Sequence, residues 1–252
     1  MSTTSNDALS KVPAVTLGFW IIKILATTVG ETGGDAVSMS MDLGYLVSTG
    51  IFLVVFAAAV AAQMSVRKFH ATLYWITIIA STTVGTTLAD FADRSLGIGY
   101  LGGSILLLVL LMCSLYVWHR SLGSVDAGSV SGPKPELFYW MTIMFSQTLG
   151  TALGDWTADS AGLGYAWAAL VFARLLLLVV FAYFWTKVSR TALFWAAFIL
   201  TRPLGAVVGD FIDKPMIKGG LELSRYSATA ALLAVIVLLI MVIPQRAARR
   251  AH

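Results

Sequence analysis

The sequence predicts an all-α, polytopic membrane protein: eight transmembrane helices, arranged as four parallel two-helix repeats with pseudo-symmetry about the membrane normal. Three observations predict it. The chain is 58% hydrophobic and only 12% charged, where soluble domains carry about 25% charged residues. Its mean hydropathy is +0.83. Eight apolar stretches follow one another, each near the roughly 20 residues that a bilayer core requires. Finally, one pattern of tryptophan, glycine and aspartate recurs four times.

The spans fall at 15–36, 44–64, 72–92, 98–118, 137–157, 163–185, 192–212 and 226–244. Runs such as "IFLVVFAAAVAAQM" lack the alternation of a barrel strand. In lipid the backbone must satisfy itself, so the spans are helices. The expected organisation is a disordered tail at 1–13, a first half at 14–120, a cytoplasmic linker at 121–136, a second half at 137–245 and a basic tail at 246–252. The linker reads "SLGSVDAGSVSGPKPE", rich in Gly, Ser and Pro.

The formal charge is +4, but its placement matters more than its size. Lys11, Arg67, Lys68, Arg120, Lys134, Lys187, Arg190, Arg246, Arg249 and Arg250 all lie in the termini and the even-to-odd connections. The positive-inside rule then puts both termini in the cytoplasm. That topology accounts for the basic residues, so nucleic-acid binding is not expected. The single Cys113 lies within a span and excludes an internal disulfide. No cofactor is expected.

Trp20, Trp75, Trp140 and Trp195 each stand ten residues before Gly30, Gly85, Gly150 and Gly205. Asp35, Asp90, Asp155 and Asp210 follow those glycines by five. A Gly-Tyr pair comes next at Tyr45, Tyr100 and Tyr165, and the fourth copy loses it in a longer loop. The unit reads as a two-helix hairpin. Each copy enters the membrane in the same direction, with odd helices expected around an axis and apolar even helices outside. The tryptophans read as an interfacial belt.

Gly30/Gly34, Gly150/Gly154 and Gly205/Gly209 are small-residue pairs four apart, and Gly85 pairs with Ala89. Such faces let helix backbones approach closely. Beside them runs a polar stripe in steps of four, one helical face. It reads Thr27, Glu31, Asp35; Thr82, Thr86, Asp90; Gln147, Thr151, Asp155; and Arg202, Ala206, Asp210. Pro203 should kink the seventh helix.

Glu31, Asp35, Asp90, Asp155 and Asp210 are therefore the candidate cation and metal ligands, with Thr86 and Thr151 beside them. Oxygen donors of this kind suit hard cations, and no Cys or His stands among them. Arg174 and Arg202 are the intramembrane cations expected to pair with these acids, because an unpaired charge in a membrane is costly. Lys23 is expected to snorkel to the cytoplasmic edge.

The elements "TTVGETGGD", "TTVGTTLAD", "QTLGTALGD" and "RPLGAVVGD" resemble those of bacterial integral membrane proteins built from a tandem repeat of unknown function, with a Thr-x-Gly and a downstream Gly-Asp. The resemblance covers nearly the whole membrane region and implies a fold but no activity.

The expected function is a membrane transporter of a metal or other cation, for instance proton-coupled export of a manganese-like divalent ion, and not an enzyme. The alternative is a non-transporting sensor or small-ligand scaffold. An intramembrane aspartyl protease fits less well, because no copy reads Gly-x-Gly-Asp and no Tyr-Asp partner occurs. The expected partners are the lipid bilayer, a small cation and a second copy of the chain in a homo-oligomer.

Overall fold

The computed structural model describes residues 10–248. Eight long helices account for most of them: α1 Leu17–Asp35, α2 Gly44–Ser65, α3 Ala71–Asp90, α4 Tyr100–Leu122, α5 Pro133–Asp155, α6 Gly164–Trp185, α7 Arg190–Asp213 and α8 Arg225–Val242. Their starts carry local signals. Thr16, His70 and Ser189 accept from the backbone of Phe19, Leu73 and Ala192, capping α1, α3 and α7. Pro133 opens α5 where its missing N–H is not needed.

The first three odd helices end alike. Each runs through its aspartate into one π-helical turn: Ala36–Ser40, Phe91–Ser95 and Trp156–Ser160. Gly97/Gly99 and Gly162/Gly164 then take positive φ. In the first copy Asp42 and Gly44 hold the corresponding pair of positions, and aspartate is among the few residues that tolerate that region. The fourth copy has no such turn. There α7 continues to Asp213, and a short 3-10 turn at Met216–Lys218 follows.

Five helices, α2, α4, α6, α7 and α8, are long and apolar enough to cross a membrane. The odd helices close a ring: α1 packs on α3, α3 on α5, α5 on α7, and α7 back on α1. The even helices lie outside it. In the most apolar stretch of α7, 61% of residues are buried, against 6% in α8.

The expected hairpin is not the packing unit. Each even helix packs on the odd helix of the next repeat: α2 on α3, α4 on α5, α6 on α7, and α8 around the circle on α1. The π turn and the glycine loop carry the chain sideways before it turns back. Packing therefore links neighbouring repeats, and the last helix closes against the first.

Two contact layers run around the ring in one direction. At one end Phe19 meets Trp75 (5.5 Å between ring centroids), Tyr74 meets Trp140 (5.8 Å), Tyr139 meets Trp195 (6.2 Å) and Phe194 meets Trp20 (5.8 Å). Trp75, Trp140 and Trp195 are buried. They form an interlocked aromatic layer rather than the expected interfacial belt, because each stands beside the axis-facing aromatic of its own helix.

Further along, a Cβ on Gly30 would strike Thr82, one on Gly85 would strike Gln147, one on Gly150 Arg202, and one on Gly205 Thr27. One turn on, Gly34 faces Thr86, Gly154 faces Ala206, and Gly209 faces Glu31. The glycines let each odd helix lie against the polar stripe of the next. Pro203 does not break α7, which runs unbroken past it.

The tryptophan end is covered by chain segments expected to be loose. Ser10–Pro13 is packed: Lys11 Nζ lies 2.7 Å from Glu136 Oε1, and Lys11 donates from its backbone to Val130 O at 2.9 Å. Pro13 bridges to Ala247, from the expected basic tail. Arg246 O accepts from Ala14 N and Ala248 N donates to Val12 O, both at 2.8 Å, and residues 1–9 and 249–252 of the two expected tails lie outside the described residues. The linker is shortened by α4 and α5, and Val125 O accepts from Trp195 Nε1 at 2.8 Å.

Gly85→Ala is expected to lower unfolding stability in detergent by about 1–3 kcal/mol, because overpacking forces a shift and the atoms in the way include backbone C and N at 3.0 Å. Gly50, on the outer helix α2, has nothing within 4 Å of the place an added methyl group would take. Gly50→Ala should leave stability unchanged or raise it by up to about 1 kcal/mol, the helix propensity difference.

Candidate functional site

The polar stripes meet along the axis of the ring in successive tiers. From the aromatic end these are Lys23, Ile78, Ile143 and Phe198; then Thr27, Thr82, Gln147 and Arg202; then Glu31, Thr86, Thr151 and Ala206; then Asp35, Asp90, Asp155 and Asp210. All of these side chains are buried.

Arg202 joins the middle tiers. Its guanidinium is fully buried: the two hydrogens of Nη2 are shared among Glu31 Oε2 at 3.0 Å, Thr86 Oγ1 at 2.6 Å and Thr151 Oγ1 at 2.5 Å, and Nη1 donates to Thr27 O at 3.4 Å. One side chain on α7 thus binds α1, α3 and α5. Thr86 Oγ1 in turn lies 3.2 Å from Glu31 Oε2. Ala206, in the same tier on the arginine's own helix, leaves room for the group. The expected pairing of Arg202 with an acid is present, and the acid is Glu31.

The other two expectations for intramembrane cations are corrected. Lys23 does not snorkel. It lies on the inward stripe, fully buried, with Nζ 4.1 Å from the centroid of the Phe198 ring. Its Nζ has no hydrogen-bond partner among the described residues. Arg174 does not reach the acids. It points outward from α6, exposed, and makes no ion pair among the described residues.

The four aspartates are bridged in neighbouring pairs by cations that stand in the connections after the odd helices, outside the expected site. Arg94 lies 2.9 Å from Asp90 Oδ1 and 3.3 Å from Asp155 Oδ2. Lys214 lies 3.0 Å from Asp210 Oδ1 and also binds Asp35 Oδ2. Arg225 binds Asp213 and comes within 3.9 Å of Asp35. The repeat tyrosines frame the first bridge, with Arg94 Nη1 3.3 Å from Tyr45 Oη and its guanidinium carbon 6.0 Å from the Tyr100 ring centroid.

A signal for these bridges is present in the sequence. Arg94 and Lys214 each stand four residues after a repeat aspartate, and they are 120 residues apart.

Charges at the rim respond to this setting. Burial opposes the Lys214 ammonium, but Asp210, Asp35 and Asp213 outweigh it and hold its pKa well above the ordinary lysine value. Burial pushes Asp93 up to about 6, against the pull of Arg94.

The carboxylates are not saturated. Asp35 Oδ1 and Asp155 Oδ1 are buried without a hydrogen-bond partner among the described residues. Glu31, Asp35 and Asp210 each place an oxygen within 4.8 Å of the others. The expected ligands Glu31, Asp35 and Asp210 therefore come together, with Thr86 and Thr151 beside Glu31 through Arg202. Asp90 and Asp155 form the other pair, around Arg94.

Glu31→Gln leaves the Arg202 guanidinium without its carboxylate. It is expected to cost about 3–5 kcal/mol, the range for breaking a buried pair, read as a lowered unfolding midpoint in detergent. Replacing both partners by leucine should recover most of that loss. A double variant no more stable than Glu31→Gln would show that the charge itself is not the source of the loss.

No curated protein matches the chain, and no solved structure does. The repeat described as "Repeat of Unknown Function (DUF347)" matches four times, at residues 18–69, 73–124, 138–189 and 193–247. These matches take in the aromatic layer, the small-residue faces and all four aspartates, and the chain belongs to the DUF347 repeat family.

Proposed function

We propose that the chain is a transporter of a small cation in the bacterial cytoplasmic membrane. In this reading all eight helices span the bilayer as four parallel repeats about an axis along the membrane normal. Both termini are cytoplasmic, and the aspartate tier lies toward the outer surface. The directional contacts of the aromatic and glycine layers support the symmetry. The basic residues of the tryptophan end support the orientation.

One observation carries the functional reading. Glu31, Asp35 and Asp210, from two helices, gather oxygens within 4.8 Å, and Asp35 keeps one buried carboxylate oxygen unpartnered. A carboxylate in this state is a ligand for a cation or a proton. Hard divalent ions of the manganese kind prefer such oxygen sets. In this conformation Lys214 supplies the positive charge there, and Arg202 with the aromatic layer fills the axis below. Cation entry would then displace the Lys214 ammonium, protonation of the aspartates would release the cation, and loss of those protons would restore the Lys214 pair.

The scaffold reading is favoured by a different observation: Arg202 ties the ring helices together through four contacts. A protease dyad is disfavoured, because two acids must share a proton and here each aspartate pair shares a cation instead.

In proteoliposomes loaded with a divalent-ion dye, the protein should move manganese, and Asp35→Asn or Asp155→Asn should each lower the flux at least tenfold. Unchanged flux in both variants would remove the tier from the mechanism. Saturable manganese binding without flux would establish the scaffold reading.

A further inference from the structure

Among the described residues Arg174 makes no ion pair. It stands in the middle of α6, ten residues from Gly164 and eleven from Trp185. At 1.5 Å per residue that is about 15 Å from either end. An arginine side chain extends on the order of 7 Å, from standard bond lengths, so snorkelling does not carry the guanidinium to either surface. α6 packs on α7 and on the turn that precedes α6. Arg174 faces away from both, flanked by Leu170, Val171, Leu177 and Leu178, which are exposed as well.

We propose that this face of α6 is the docking surface for a membrane-spanning helix of another protein, one carrying an aspartate or glutamate near mid-span. A guanidinium in hydrocarbon is costly and is almost always paired, and a carboxylate is the partner that matches its charge and its fork of donors. A second copy of this chain does not supply one. Every carboxylate on the eight helices is buried within the chain itself, and a contact between two α6 faces would bring Arg174 against Arg174. Lipid phosphate lies at the bilayer surface, beyond the reach of the side chain. The proposal rests on the membrane placement of α6 and not on transport, so it stands or falls separately from the cation site.

The test places a benzophenone amino acid at Leu170 or Leu178 of the full chain in its native membrane. After illumination, adducts are identified by mass spectrometry. The expected adduct joins a protein whose cross-linked span contains Asp or Glu. It should fall at least tenfold in Arg174→Leu and stay within about twofold in Arg174→Lys. The unfolding midpoint of Arg174→Leu should not fall, since the residue makes no ion pair within the described fold. The proposal is overturned by adducts to lipid alone, to a second copy or to a span without a carboxylate, by an adduct that Arg174→Leu leaves undiminished, or by no adduct at all.

Discussion

The Arg202 guanidinium, on the axis of the ring, is the constraint on which the other features depend. A buried cation of this shape needs a negative partner and several acceptors. The three other odd helices supply them from one level: Glu31, Thr86 and Thr151. Its own helix supplies Ala206, where any larger group would compete for the same space. Gly150, on the facing helix, has no Cβ because the arginine stem lies where one would stand. The differences between the four repeats are thus one arrangement, distributed over four helices. Change one member and the others lose their reason.

Above that level the ring follows a different rule. The aspartates recur in every repeat, but the cations that bridge them occur only in the second and fourth. Arg94 ties Asp90 to Asp155, and Lys214 ties Asp210 to Asp35. Each bridge therefore runs from the end of one half to the start of the other. Four like charges at one depth would repel, and two shared cations turn that repulsion into two contacts across the boundaries between halves. The charge of the four aspartates is thus partly offset by two residues that stand outside the odd helices.

The features legible in the sequence are those with a strict period. Hydropathy and the Trp–Gly–Asp spacing point to the helices, the inward polar stripe and the close approach at the glycines; the cost of a lone charge points to an acid partner for Arg202 without naming Glu31, and it fails for Arg174. What escapes are properties of neighbours. Nothing in a single repeat shows that its second helix will pack on the next repeat rather than on its own first helix. The tryptophans are ambiguous because an aromatic near a helix end has the same composition signature whether it faces lipid or a ring of other aromatics. Lys23 misleads in the same way: its depth suggests snorkelling, while its place on the stripe, four residues before Thr27, directs it inward.

The outward packing rule also decides how the ring is closed. Each even helix covers the odd helix that follows it, so α1 would remain uncovered unless the chain returned. α8 fills that place, and Thr229 on α8 approaches Thr32 on α1, with the hydroxyl oxygens 2.8 Å apart. The fourth repeat is the one whose loop departs from the others, and it is the one that must make this closing contact. Its longer loop contributes Lys214, and the first residue of α8 is Arg225; both reach Asp35 on the same first helix. The irregular copy thus makes the closing contacts at two levels, with α8 on the outside and Lys214 and Arg225 at the aspartate end. A fourth copy that kept the Gly-Tyr turn of its siblings would retain α8 and a position equivalent to Arg94, but not the added contact of Arg225 with Asp35.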